Sequence, residues 1–423
     1  MSRTGRRSGA WFLVLCIGLA LSTAVYAGEG KPEVNGTLTE IEGLTVLRVW
    51  GTPAERGFAH GYLMAEQIAT VMDQYLRDGP LGQGSIEHYE KHTLPRIAMM
   101  KIDPVHEAEM RGILEGIEAR LGGPAEMPIL GRTLRYEDIV AVNCTGDLCR
   151  SGCSSFAAWG EMTPDGGTIG ARNMDWPVIP CLLDTQIILV NVPEPDSGKL
   201  GWVSITWPCY IGVTTGMNTE GVTVATHDAG GYPASMSSGF TPYGWTFRRA
   251  LEEGHAATAK DDIARVIREG VSIVGNNMMV TRPFTGDGPG AYVFEFDGNI
   301  SLDGGLTIRE PETGESYLIC TNHFRKRVEP REGVRYGMLS RMLETVAKRP
   351  GKLHVDTKRA WRSIGSVSCD DTLTYSSAVF EPNKGLMHVA LTKSRRHAPK
   401  CRKVTLDVAG LVKGEFPEST AEE

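Results

Sequence analysis

The sequence predicts an α+β protein with stacked layers, and three observations carry that prediction. The first 150 residues are mostly helical in pattern, short strand-like runs dominate from Cys153 onward, and the helical segments among those runs are few and segregated from them. Glycine, at 50 of 423 residues, exceeds the average of about 7% and fits a loop-rich chain built on sheets better than a helical bundle.

The chain opens MSRTGRRSGAWFLVLCIGLALSTAVYAGEG. Arg3, Arg6 and Arg7 precede an apolar run from Ala10 to Leu21, and small residues close at Ala27, which is the pattern of a secretory signal peptide over residues 1–27. The run is shorter than the ~20 apolar residues of a membrane span. The expectation is a secreted or periplasmic protein with no stable membrane anchor once the signal is removed. Cys16 follows the bulky Leu15, where a lipoprotein site wants a small residue. Loss of residues 1–27 removes three arginines and no acid, taking the formal net charge from −7 to −10. Such a chain has no electrostatic attraction to nucleic acid or to an anionic membrane surface.

After a polar lead, LTVLRVWG reads as a strand ending at Gly51, and TPAERGFAHGYLMAEQIATVMDQYL as a helix begun by Thr52-Pro53. DPVHEAEMRGILEGIEARLGG is a second amphipathic helix, closed by Gly122-Gly123. CTGDLCRSG, between the helical part and Cys153, reads as a polar, exposed connector. Strand-like runs follow, among them CSSFAAWG, TIGARNMDW, TQIILVNV, GVTVATH, NNMMVTR, AYVFEFDG, SYLICTNHF and LMHVALT. Pro164-Asp165-Gly166-Gly167 and Asn218-Thr219-Glu220-Gly221 are hairpin-like turns between such runs. Helical patterns recur at WTFRRALEEG, AKDDIARVIREG and YGMLSRMLETVAKR.

Eight cysteines remain after the signal, and in an oxidising compartment they suggest disulfides, with Cys144 and Cys149 able to close a small loop. Three disulfides plus two thiols fit the count as well as four disulfides do. No CxxC or HExxH occurs, so no metal is expected. TGDGPG lacks the lysine and context of a phosphate-binding loop, and no cofactor is implied.

The stretch RSGCSSFAAWG sets Gly152-Cys153 at the head of a strand-like run. Were that bond cut, Cys153 would carry a free α-amine of pKa about 7.7 to 8.0 beside its thiol, so one residue would supply nucleophile and base. Gly152 lacks a Cβ and tolerates a strained backbone while the thiol attacks the preceding carbonyl.

GCSSFAAWG, followed by GARNMDW and much later by TNHF, resembles the Cys-type N-terminal-nucleophile hydrolases, specifically the acyl-coenzyme A:6-aminopenicillanate acyltransferase family. That family is similar to the choloylglycine hydrolases and penicillin V acylases. The resemblance extends over nearly all of the mature chain, with GTPAERGFAHG and EMRGILEGIEA similar to the family's propeptide region and MNTEGVTVATH and TYSSAVFEP to its later strands. It implies a four-layer αββα sandwich, a mainly helical propeptide or α chain over 28–152, and a catalytic β chain over 153–423 released by self-cleavage. It also implies an amidohydrolase or acyltransferase acting on a small N-acyl amide.

Residue by residue, the resemblance implies that Arg172 and Asp175 sit beside Cys153. A cation there favours the thiolate, and a carboxylate fixes the charged amine. Positions 172 and 175 have opposite strand parity, so a bulge or strand end is expected at Asn173 or Met174. Asn322 matches the family's oxyanion donor. His227 stands where the family often has Asn or Tyr, and either donates instead or only lines the pocket. Arg335 resembles a downstream family arginine, with Arg341 competing for the match. Trp176, Trp207, Tyr210 and Phe324 either line an acyl pocket or belong to the core.

Two other readings stay open. One is a secreted, disulfide-stabilised binding protein with Cys153 paired to Cys149 or another thiol. The other is a Cys-His thiol hydrolase that never cuts itself, with His227 or His323 as base.

Overall fold

Helix caps and strand pairing follow the local sequence closely. Thr52 forms a capping box with Glu55 at the start of the helix Pro53–Leu63, with Pro53 in the first turn. Asp103 accepts from the His106 N–H to cap the helix Pro104–Leu121, which ends on Gly122 in the left-handed region at φ 77°. The single helix expected from Thr52 onward is two, Pro53–Leu63 and Ala65–Asp78, because the backbone leaves helical geometry at Met64 (φ −121°, ψ 20°). The helices Pro53–Leu63 and Pro104–Leu121 approach through glycines: a Cβ on Gly57 or Gly61 would lie 1.9 or 2.0 Å from the carbonyl oxygen of Glu109 or Ile113. A methyl group at either position would force the pair apart.

In this computed structural model the described residues are 32–149, 152–230, 239–329, 333–368 and 372–416. Residues 1–27, expected as a signal peptide, and Arg150, Ser151 and Cys369 lie outside them. The chain divides into two compact units, Met1–Glu33 and Val34–Glu423, and every element described lies in the second.

Nine strands form the larger sheet, in the spatial order β1 (Gly36–Ile41), β2 (Leu44–Trp50), β7 (Ile187–Val192), β8 (Trp202–Thr206), β9 (Thr215–Asn218), β10 (Thr223–Ala229), β11 (Gly275–Thr281), β12 (Ala291–Phe296) and β13 (Leu306–Arg309). The smaller sheet runs β14 (Tyr317–Thr321), β5 (Gly152–Gly160), β6 (Gly166–Trp176), β15 (Leu373–Glu381), β16 (Leu386–Leu391) and β17 (Val404–Asp407). A minor hairpin joins β3 (Glu126–Met127) to β4 (Arg132–Thr133). All pairs are antiparallel except β2 with β7. The mostly helical first part of the chain therefore also supplies two strands to the larger sheet.

The two sheets face each other. Val46, Ile188 and Ile205 of the larger meet Phe380, Met387 and Val389 of the smaller. Ala225, Met279 and Val293 likewise meet Ala157, Trp159 and Cys320. The outer face of the smaller sheet is covered by Leu339, Leu343, Ala360 and Ile364 of the helices Val334–Ala347 and Thr357–Gly365. The outer face of the larger sheet packs on the helices Tyr243–Glu253 and Ala259–Glu269 and on the N-terminal helices. The result is an α+β fold with helices outside two stacked sheets.

Because both faces of the smaller sheet are covered, β5 and β6 are buried almost throughout. Polar residues in such strands need hydrogen-bond partners, and Ser154, Ser155, Arg172, Asn173 and Asp175 all have them. The connector before β5 departs from its expected exposure: Cys144, Thr145 and Asp147 are buried, and Thr145–Leu148 is a helical turn. Its residues pack against the helix Tyr243–Glu253, where Asp147 accepts from the Tyr243 N–H at 3.2 Å. Cys144 and Cys149 are both thiols, so no disulfide closes this loop.

Candidate active site

Cys153 is the second residue of β5 and lies opposite Met174 of β6, while Ser155 lies opposite Arg172. Paired residues share a face. Cys153, Ser155, Arg172 and Met174 thus all point between the sheets. The Arg172 guanidinium sits 3.4 Å from Cys153 Sγ through Nη2, which also donates to the Thr226 carbonyl at 2.9 Å, and Nη1 donates to Thr215 Oγ1. Arg172 is 1% exposed, so its charge is aimed at the sulfur with little solvent to screen it.

Gly152 lies opposite Asp175, and both face the helical side. Asp175 Oδ2 accepts from Arg335 Nη1 at 2.9 Å, and Oδ1 accepts from Thr374 Oγ1 at 2.6 Å. Burial pushes the Asp175 carboxyl up, against the opposing effects of the Thr374 bond and the two arginines. The expected bulge in β6 is absent: its pairing with β5 is regular through residues 170–175, and the irregularity falls in β15 between Thr374 and Ser376. Parity holds, and Arg172 and Asp175 approach the Gly152–Cys153 linkage from opposite faces. The glycine also has a steric reason in this structure. Its φ is not positive, but a Cβ there would lie 3.1 Å from Asp175 Cβ and 3.4 Å from Oδ2. Any side chain would press on the Asp175–Arg335 pair.

Asn322 follows the end of β14, and its Oδ1 accepts from the Cys153 backbone N–H at 2.6 Å and from Arg335 Nη2 at 2.8 Å. Its Nδ2 donates to the Asp228 carbonyl at 2.9 Å. In the intact chain Asn322 therefore holds the nitrogen of Cys153 through an acceptor, and its amide donors are turned toward Asp228. Arg335 also donates to Ser154 Oγ at 3.0 Å, so one guanidinium joins Ser154, Asp175 and Asn322. The competing Arg341 is exposed.

His227 is fully buried on β10, and its Nε2 is 2.7 Å from Ser155 Oγ, one strand repeat inward from Cys153. Burial and the Arg172 charge drive this imidazole far below its ordinary value, so it is neutral. His323 Nδ1 is 3.2 Å from Thr321 Oγ1. Each histidine is thus tied to a hydroxyl partner.

Thr215, Thr226, Ser154 and Thr374 complete the site; Ser154, Thr226 and Thr374 fall within the family-like stretches but were not singled out there. They are reached through sheet register, which the sequence does not print.

Met174, the cross-strand partner of Cys153, forms part of the wall of a cavity. Trp176, Trp207 and Tyr210 line it, and Phe324, buried in the core, is not among the described lining residues. The N-terminal part of the chain contributes Met72, Tyr75, Val142 and Thr145 to the wall, and Leu182, Thr214 and Tyr243 also line it. Among the described residues, no charged side chain lines this cavity. The bulge residue Tyr375 donates through its hydroxyl to the Pro177 carbonyl at 3.2 Å and accepts from the Ile179 N–H at 2.9 Å, fixing the loop that carries the lining residue Leu182.

Burial pushes Cys149 up to about 12 and Cys181 up to about 11. Among the described residues, no group of three or more His, Cys, Asp or Glu is placed to hold a metal ion, and no helix is long and apolar enough to cross a membrane.

No family model matches the chain. The Dictyostelium discoideum protein dcd1B is 24% identical over 183 residues, 41% of this chain and 36% of that protein. Protein dcd1A of the same organism is 18% identical over 224 residues, 49% of this chain and 50% of that protein. The chain thus spans half or less of the length of these curated relatives. Among solved structures, the Caenorhabditis elegans N-acylethanolamine-hydrolyzing acid amidase ortholog matches 60% of this chain and 100% of its own, at 15% identity and TM-score 0.39. Penicillin V acylase from Agrobacterium tumefaciens matches 61% of this chain and 88% of its own, at 15% identity and TM-score 0.41.

Proposed function

We propose that the chain is a secreted, self-cleaving thiol amidohydrolase of the N-terminal-nucleophile type, which cuts an N-acyl amide with an uncharged, apolar acyl group. The observation that carries this reading is the double hold on Cys153: Arg172 Nη2 lies 3.4 Å from its sulfur, and Asn322 Oδ1 lies 2.6 Å from its nitrogen. One residue is thereby prepared at both of the atoms that a nucleophile-plus-amine mechanism uses.

In the self-cleavage step the Cys153 thiolate attacks the Gly152 carbonyl carbon. The C–N bond breaks as the nitrogen takes a proton, leaving the Gly152 acyl group on sulfur. Water opens that thioester, releasing the Gly152 carboxylate and the Cys153 thiol beside its new α-amine. In turnover the neutral amine takes the thiol proton, and the thiolate attacks the substrate carbonyl. The proton passes to the leaving amine and an acyl thioester forms. Water or a small amine then opens it, with the α-amine again receiving the proton. The cavity beside Met174 accounts for the acyl preference, because a charged group there would be desolvated without a partner.

Intact mass and N-terminal sequencing of the secreted protein test the first half. A chain beginning at Cys153 is expected, and Cys153→Ala should stay uncut and inactive. A Cys153→Ala protein cut at the same bond rejects self-cleavage. Turnover of N-acyl amides with no acyl adduct ever trapped on the Cys153 peptide rejects the thioester.

A further inference from the structure

We infer that Asn277 is a positioning residue that sets Asn322 against the Cys153 nitrogen, an inference that rests on the proposed thiol mechanism. Asn277 is fully buried on β11. Its Nδ2 donates to the Thr321 carbonyl at 2.9 Å and to the His323 carbonyl at 3.0 Å, the two carbonyls on either side of Asn322. Since β14 ends at Thr321, Asn322 stands beyond the ladder and needs another anchor. One amide group bridging both flanking carbonyls fixes the backbone that carries the Asn322 side chain.

The neighbours of Asn277 extend the same grip. His227, Asn277 and Glu295 lie directly opposite one another on β10, β11 and β12, so all three point toward the smaller sheet. His227 meets Ser155 at 2.7 Å. Glu295 accepts from the backbone N–H groups of Arg325, Lys326 and Arg327 at 2.8–2.9 Å, holding the segment just past Asn322. Asn277 occupies the middle of this transverse row, where the segment passes closest to Cys153 N.

The mechanism needs that placement twice. Before cleavage, Asn322 Oδ1 orients the amide nitrogen that must become the leaving group. After cleavage, the same oxygen accepts from the α-amine, which is the base. A misplacement near 1 Å costs on the order of 100-fold in such a constellation.

The test is a double-mutant cycle on Asn277→Ala and Asn322→Ala, read as kcat per mole of cut chain on an N-acyl amide and as the rate at which the Cys153-initiated fragment appears. Asn277→Ala should lower both rates roughly 10- to 100-fold with KM within about twofold. The acid limb of its pH profile should move to lower pH, because the protonated amine loses its acceptor. Adding Asn277→Ala to Asn322→Ala should cost nothing further. Should Asn277→Ala not fold, Asn277→Ser keeps one donor and must give intermediate rates. Rates within twofold of wild type, or a double variant lowered by the product of the single effects, overturn the inference while leaving the thiol mechanism standing. A wild-type protein that neither cuts itself nor turns over amides overturns both.

Discussion

Arg172 and Asp175, three residues apart on β6, face opposite sides of their sheet and meet the same backbone linkage, with Arg172 at the Cys153 sulfur and Asp175 opposite Gly152. A regular strand thereby brings a cation to the nucleophile on one face and a carboxylate to the cleavage glycine on the other.

The first expectation concerns that cation. Removing it in Arg172→Met should disfavour the thiolate, so the pH dependence of Cys153 alkylation by iodoacetamide moves upward by at least about 1 pH unit. The amidase rate near neutrality should fall roughly 10-fold or more. An unchanged alkylation profile would remove Arg172 from the thiol's electrostatics.

A second expectation follows from His60, which is buried and accepts from the Cys209 N–H through Nε2 at 3.0 Å. Burial lowers this imidazole from 6.5 to about 4. The unfolded chain then binds the proton first as pH falls through 6.5, so the folded state loses stability between pH 6.5 and about 4. The loss amounts to ~3 kcal/mol at the bottom of that window. Urea unfolding across this range should show the decline in wild type and a flatter curve in His60→Gln.

Asp147 gives the opposite slope. Its carboxyl is buried and driven well above the ordinary carboxylate range by burial, reinforced by the nearby Asp228 charge. The folded chain keeps this proton to higher pH than the unfolded chain, so stability declines as pH rises above the ordinary carboxylate range. Asp147→Asn can still accept from Tyr243 and should lack that contribution. Comparing the two proteins by urea unfolding at pH 5 and pH 8 checks it; a larger decline in the variant contradicts the assignment.

The cavity sets a fourth expectation. Val142, from the N-terminal part of the chain, lines it. Val142→Phe adds bulk at that wall and should raise KM for long-chain acyl amides about 10-fold, with a much smaller rise for short-chain ones. Equal effects on both would place the acyl group elsewhere.

A methyl group at Gly61 probes the fold itself. Its Cβ would meet the Ile113 carbonyl oxygen at 2.0 Å, so Gly61→Ala should cost about 1–3 kcal/mol of stability by denaturant titration.

Much of the candidate site was legible as order along the chain. Cys153, Arg172, Asp175, Asn322 and Arg335 were each marked by motif resemblance, and the structure joins them through direct contacts. Their hydrogen-bond directions were not legible. Asn322 faces Cys153 with its oxygen because two donors, the Cys153 N–H and Arg335, converge there. His227 was readable as a polar residue near the site, but its Ser155 partner depends on the packing of two sheets.

What the sequence determined by itself was local: helix starts at Thr52 and Asp103, the strand runs, and the singular Gly152-Cys153 pair, because caps, periodicity and backbone freedom act within a few residues. Only the tertiary structure decided that β1 and β2 join the larger sheet, that the N-terminal helices wall the cavity, and that His227, Asn277 and Glu295 form one row. Those relationships rest on strand register and sheet stacking, where residues far apart in sequence become neighbours only once both faces of each sheet are buried.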